Sequence, residues 1–266
     1  MKIDPAQPGI EGFWYFVALR QAVYWRKTQG ESKPWTTDPI MAKFHFPNVF
    51  RELDPGTEYF HRERQKLADS QIVWASVIYR LVNRRRTFIE FGGLPQPAEA
   101  LKWRVYLLQR VERGSAIFTR RHLTPSLRTY LEAVDYLSRD TGDLYKLLYG
   151  APDLEAVFAT LRGIPGVGPF FAWQVCCDLL EAKAIPFTED EWCYMGPGPV
   201  NATRMLTGRT PNQKMAFNLC KALVAGQLIG LPPNFRFPPH ISRFTLKNIE
   251  HALCEYARFV IAHWRR

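Results

Sequence analysis

The chain has 266 residues, 47% of them hydrophobic and 23% charged, a balance that supports a packed core and excludes a disordered or fibrous chain. Its 35 Lys and Arg against 25 Asp and Glu leave a net charge of +10, which points to polyanionic partners. The longest apolar runs, Phe13 to Val23 and Phe170 to Leu180, are broken by Arg20, Gln21, Gln174 and Asp178, short of the roughly 18 residues that span a bilayer. With no secretory pattern at Met1 to Pro5 and five scattered cysteines, a cytoplasmic monomer with reduced thiols and no membrane partner is expected.

In chain order, Trp14, Val17, Gln21 and Tyr24 share a face at helical spacing and predict an N-terminal helix. Two stretches after it hold residues that helix packing alone does not require: Trp35-Thr36-Thr37-Asp38-Pro39-Ile40 and Phe44-His45-Phe46-Pro47-Asn48-Val49-Phe50-Arg51-Glu52-Leu53-Asp54. In the second, Phe46, Val49, Phe50 and Leu53 predict an apolar helical stripe. Asn48, Arg51 and Asp54 fall on or beside another face, where a cation among polar groups suits a phosphate; a buried Arg51–Asp54 pair is the alternative. Ile72, Ala75, Tyr79 and Val82 mark a further helix, followed by Arg84, Arg85 and Arg86, whose guanidinium forks fit phosphate oxygens. Thr87 to Phe91, before Gly92-Gly93, is the best strand candidate in a chain that otherwise reads as helical. Pro and Gly punctuate connections at 30–39, 92–97, 197–199 and 231–239. Thr124-Pro125-Ser126 opens a new helical block, so two lobes are expected, 1–125 and 126–266, with the C-terminal helices able to pack back on the first.

The most informative motif is Leu161-Arg162-Gly163-Ile164-Pro165-Gly166-Val167-Gly168-Pro169-Phe170, set between predicted helices over 154–161 and 170–180. It reads as a helix-hairpin-helix. Gly163, Gly166, Val167 and Gly168 form a tight turn whose bare backbone can approach a DNA phosphate and donate N–H bonds to it. On the second helix Phe171, Gln174 and Asp178 share a face, and a ring beside an amide and a carboxylate suits an unstacked pyrimidine. A simple bond from Asp178 to a helix end is the alternative. Glu189-Asp190-Glu191 then sets three carboxylates in a basic protein, just before Gly196-Pro197-Gly198-Pro199, a loop that could admit a small donor. Asp190, Glu191 and Asp178 are candidate proton acceptors or stabilisers of positive charge. Glycosylases of the helix-hairpin-helix superfamily carry a catalytic aspartate in the neighbourhood of Asp190. Where their bifunctional members carry a Schiff-base lysine this chain has Phe170, which excludes lyase chemistry there. Ile249, Leu253, Tyr256 and Val260 predict a last helix. No His or Cys constellation has metal-site spacing.

Trp35 to Ile40, Asn48 to Asp54, Phe171 to Leu179 and Gly196-Pro197-Gly198, in this order and spacing across most of the chain, resemble the alpha-glutamyl/putrescinyl thymine pyrophosphorylases. That family is a glycosylase-like branch of the helix-hairpin-helix superfamily, associated with thymine hypermodification in bacteriophage DNA. The resemblance implies a mainly α, helix-hairpin-helix DNA glycosylase-like fold, with the active site in a cleft between two helical lobes. It implies double-stranded DNA bearing 5-(pyrophosphoryloxymethyl)uracil, made by a hydroxymethyluracil DNA kinase, and an amino acid or polyamine whose nitrogen displaces pyrophosphate. Trp35, Asp38, Asn48, Arg51, Asp54, Arg84, Arg85, Phe171 and Gln174 would then contact substrate, with Asp190, Glu191 or Asp178 taking the amine proton. No cofactor is required beyond the amine, with Mg²⁺ on the pyrophosphate left open. The chain departs from the pattern after Gly198, reading Pro199-Val200-Asn201-Ala202-Thr203 where a small residue and another glycine are expected. A glycosylase acting on a modified pyrimidine and a non-catalytic DNA-binding module are the rival readings of the same hairpin.

Overall fold

The computed structural model describes residues 9–119, 124–139 and 141–265. Its regular structure is helical, and no strand occurs among the described residues. In chain order the helices are α1 (Ile10–Thr28), α2 (Pro39–Lys43), α3 (Pro55–Arg64), α4 (Ile72–Val82), α5 (Arg85–Phe91), α6 (Ala100–Glu112) and α7 (Leu127–Arg139). They continue as α8 (Thr141–Tyr149), α9 (Leu154–Leu161), α10 (Pro169–Glu181), α11 (Pro197–Thr207), α12 (Gln213–Ala225), α13 (Gln227–Gly230) and α14 (Leu246–Trp264). The chain forms two compact units, one from the stretches up to Asp54 and from Trp192 onward, the other from Pro55 to Glu191. The expected division at 125/126 falls inside the second unit.

In the first unit α14 is the hub on which α1, α2, α11 and α12 pack. Its periodic residues Ile249, Leu253, Tyr256 and Val260 are all buried, as the spacing predicts. A capping box starts it: the Thr245 hydroxyl accepts from the Asn248 backbone N–H and the Asn248 side chain accepts from that of Thr245. From α1, Phe13 meets the Tyr256 ring edge-on at 5.6 Å and Phe16 lies 5.1 Å from Phe259, while Trp14 reaches α13. A Cβ added at Gly230 would sit 2.0 Å from the indole Nε1 of Trp14, so only a bare backbone fits. Gly230→Ala is therefore expected to cost about 1–3 kcal/mol through overpacking. The check is the urea midpoint, and a Trp14→Leu, Gly230→Ala double variant should lose less than the sum of the two single ones.

The second unit is assembled round α4, every residue of which is buried. Its run Ile-Val-Trp-Ala-Ser-Val-Ile-Tyr-Arg-Leu-Val is apolar on all sides except Ser76, Tyr79 and Arg80, which is the signature of a central helix. Helices α3, α7, α8 and α10 pack against it, and α9 packs on α10.

Three local expectations are corrected. Thr87 to Phe91 is not a strand but part of α5, which buries Thr87 and Phe88, and the Thr87 hydroxyl donates to the Ile117 carbonyl at 2.7 Å. The segment over Phe46 to Leu53 forms only a 3-10 turn at Arg51–Leu53, although Phe46, Val49 and Phe50 are buried as expected. Gly196 to Pro199 is no open loop but the start of α11, and a Cβ at Gly198 would sit 2.5 Å from the Cys254 sulfur of α14. The five cysteines are free thiols, four of them buried. No described helix is long and apolar enough to cross a membrane.

Candidate functional site

Each unit contains a buried ionic cluster, an arrangement that costs desolvation and so calls for a reason. In the first unit the cluster forms round the turn between Phe46 and Asp54. Arg20 of α1, 5% exposed, donates from Nε to the carbonyls of Phe46 and Pro47 at 2.9 and 2.8 Å, and from Nη2 to the Asn48 side-chain oxygen; its Nη1 is buried with no hydrogen-bond partner. Asn48 in turn donates its backbone N–H to Asp54 at 2.9 Å and its side-chain amide to the Leu53 carbonyl at 2.6 Å. Its carbonyl lies 3.1 Å from Nε2 of His251. Pro47, which has no N–H, and the Asp54–Asn48 bond together hold this segment as a turn instead of a helix.

Helix α14 brings further charge to the same unit. Lys247, only 1% exposed, lies 3.4 Å from Glu52. Glu255 accepts from Arg258. Burial pushes the Glu255 carboxyl up to about 7, with Asp54 adding like charge and Arg258 and Arg20 pulling the other way. Burial also loosens the proton of Arg20, opposed by Asp54 and Glu255. The structure thus brings Asn48, Arg51 and Asp54 into one unit with Arg20 and Glu255, and Arg51 is itself 3% exposed.

Trp35 is held locally, while Asp38 is held both locally and against α14, its carboxylate lying 3.4 Å from Nε2 of His263. The Asp38 carboxylate caps α2, accepting from the N–H groups of Ile40 and Met41 at 2.9 and 2.7 Å, with Pro39 at the first helical position. The Trp35 indole donates to the Glu31 carbonyl at 2.7 Å, and the ammonium groups of Lys27 and Lys33 each lie 5.0 Å from its ring.

In the second unit, Asp178 is fully buried on α10 and bound to α4. Its carboxylate accepts from Arg80 Nε at 2.8 Å and Nη2 at 2.6 Å, and from the Ser76 hydroxyl at 2.5 Å. One turn of α10 further on, Glu181 meets Nε2 of His61 from α3 at 2.7 Å. Asp178 was expected to face a substrate; the geometry instead makes it the anchor of a bidentate ion pair between two core helices. His61, Asp178 and Glu181 offer ligand atoms within 4.8 Å of one another. A cation there would compete with the Arg80 guanidinium for Asp178, so the donor set fits a metal poorly.

Helices α9 and α10 coincide with the two predicted round the hairpin. The turn closes with the Val167 N–H on the Ile164 carbonyl at 3.0 Å, Gly166 takes a φ of +75°, and Ile164 and Val167 are buried beneath it. Gly163 and Gly168 are exposed, and no side chain caps α10. Phe171 is buried and Gln174 half-buried on that helix. Asp190 and Glu191 lie in the loop after α10, where the Glu191 carboxylate accepts from the Thr188 N–H at 2.8 Å and so closes its own turn. The arginines beyond α4 are dispersed: Arg84 donates to the Ala116 carbonyl, Arg86 pairs with Glu90, and Arg85 is exposed. They make no common anion site.

The sequence reading missed Ser76, Arg80, His61, Glu181, Lys247 and Glu255. Ser76 and Arg80 left a signal, a polar pair four apart in an otherwise apolar helix.

Two helical units, a strong positive charge and buried ionic clusters define a basic, mainly helical protein. The family model described as 5-hmdU DNA kinase, helical domain, matches residues 7–265. The chain belongs to that family. A 5-hmdU DNA kinase of Bacillus phage SP10 is 25% identical over 281 residues, an alignment covering 92% of this chain and 44% of the relative. The chain therefore spans less than half the length of that relative. No solved structure matches it.

These matches overturn the expected membership of the thymine pyrophosphorylases, which rested on four short stretches where the family match runs along nearly the whole chain. The pyrophosphate-displacing transfer and its amine donor fall with it. Neither a glycosylase nor a non-catalytic module gains support. The kinase expected as an upstream supplier names this chain's own family.

Proposed function

We propose that this chain works in the phosphorylation of 5-hydroxymethyluracil in DNA, holding the DNA and the acceptor hydroxyl while a nucleoside triphosphate with Mg²⁺ supplies the phosphoryl group. The family match over residues 7–265 carries this reading. The net charge of +10 and the glycine hairpin favour assigning the chain the DNA. The hydroxymethyl oxygen attacks the γ-phosphorus, the bond to the bridging oxygen breaks to release the diphosphate, and the hydroxyl proton passes to a carboxylate. Glu255, poised at about 7, is suited to accept it near neutral pH. The unpartnered Nη1 of Arg20 offers a donor to a uracil or phosphate oxygen. In the second unit the Gly163 to Gly168 hairpin is suited to grip the duplex through backbone N–H groups and phosphates.

The test is fluorescence anisotropy on two duplexes that differ only in 5-hydroxymethyluracil against thymine. The modified duplex is expected to bind about tenfold tighter, the worth of one hydrogen bond to the added hydroxyl, and both affinities should fall steeply with salt. Gly166→Val, strained at its positive φ, should weaken both duplexes alike, since backbone contacts to phosphates read no base. Equal affinity for the two parent duplexes would remove the modified base from the reading.

A further inference from the structure

The first unit carries two adjoining cavities, the second of which has Arg20 in its wall. One, of about 550 Å³, lies between α2 and the end of α14, with Ile40, Ile261, Arg258 and Arg265 in its wall. The other, of about 290 Å³, lies between α1 and the Lys33 to His45 segment, with Lys27, Lys33 and Trp35 in its wall. They share Lys43, Phe44 and Phe46. No carboxylate lines either cavity, while cations stand along both. Two acids of the same unit are already engaged, Asp38 in capping α2 and Glu255 with Arg258. Phe44 is 45% exposed and lines both cavities, so its ring is open to a stacking partner there.

We infer that the paired cavities bind an unpaired stretch of DNA, with bases against the Trp35 and Phe44 rings and phosphates along Lys27, Lys33, Lys43 and Arg265. Aromatic platforms interleaved with spaced cations are how proteins hold single strands. A free nucleoside triphosphate concentrates its charge at one end and calls for converging donors. Here the cations are spread over two cavities, and the one short helix start at hand is already occupied by Asp38. Lys27 and Lys33 flank the Trp35 ring, so a base stacking there would turn both ammonium groups toward its own phosphates.

The probe is fluorescein-labelled dT12, which has neither a duplex nor a modified base, so its result is independent of the reading above. Phe44→Ala should weaken dT12 binding by about fivefold to a hundredfold, the range for losing one stacking ring, and Lys43→Glu should weaken it by roughly tenfold or more and flatten its salt dependence. Both side chains are exposed, so neither change disturbs the core. Lys214→Glu, an equal charge reversal on the exposed face of α12, should bind dT12 as the parent does. Parental affinity in the Phe44 and Lys43 variants overturns the inference. So does ATP that displaces dT12 from the parent and binds Lys43→Glu poorly, which would make the occupant a free nucleotide.

Discussion

Asp178→Ala is expected to lower the stability of the protein by about 3–5 kcal/mol, the cost of leaving one member of a buried ion pair without its partner. The Arg80 guanidinium, 7% exposed, would keep only the Thr57 hydroxyl at 3.3 Å and a place over the Phe60 and Tyr79 rings. Those contacts do not neutralise a charge in an apolar core. The loss belongs to the orphaned cation more than to the bond, so replacing both partners by apolar residues, Arg80→Met with Asp178→Leu, should recover most of it. Urea unfolding of the two single variants and the double one gives the coupling. A folded Asp178→Ala with parental stability and lost activity would instead return Asp178 to the reacting site.

Glu255→Gln separates stability from function. The Glu255 carboxyl is held at about 7 in the folded protein against an ordinary value of 4.5, so the folded state binds more protons than the unfolded one between those values. Stability therefore falls as pH rises from about 4.5 to about 7 and is flat beyond, a loss on the order of 3 kcal/mol. Glutamine has the same shape and no charge to desolvate. The variant should equal the parent near pH 4 and exceed it at pH 8, with the slope between removed. If Glu255 takes the hydroxyl proton, the same change should slow phosphorylation of hydroxymethyluracil DNA about a hundredfold in the catalytically complete protein. A variant that is more stable and fully active would leave Glu255 without a part in the reaction.

Periodicity made the helices that flank the hairpin readable to within a residue or two, because Leu154 to Leu161 and Phe170 to Leu180 each present an apolar face and Gly and Pro bound the turn. The role of Asp178 was unreadable for a physical reason: its partners Arg80 and Ser76 lie 98 and 102 residues away and meet it only when α4 and α10 pack. Arg20 likewise registered only as a break in an apolar run, although it holds the turn at Phe46 to Asn48. Thr87 to Phe91 misled because β-branched and aromatic residues favour strands locally, while tertiary packing overrides that preference, with Thr87 bonded to Ile117 and Phe88 stacked on Trp103. The bounds of the units at Asp54 and Trp192 left no local signal in the sequence, although a return of the C-terminal helices to the first lobe was left open there.

That return of the chain has a consequence for biosynthesis. The second unit is continuous from Pro55 to Glu191 and can fold on the ribosome as soon as it emerges. The first must wait, because α1 packs on α13 and α14, which are made only after the whole second unit. Until then Phe13 lacks its Tyr256 partner and Phe16 its Phe259 partner, and the nascent chain presents those rings to chaperones. A ribosome-stalled chain ending before Leu246 should accordingly protect the amides of α4 and α10 from hydrogen exchange while leaving those of α1 open.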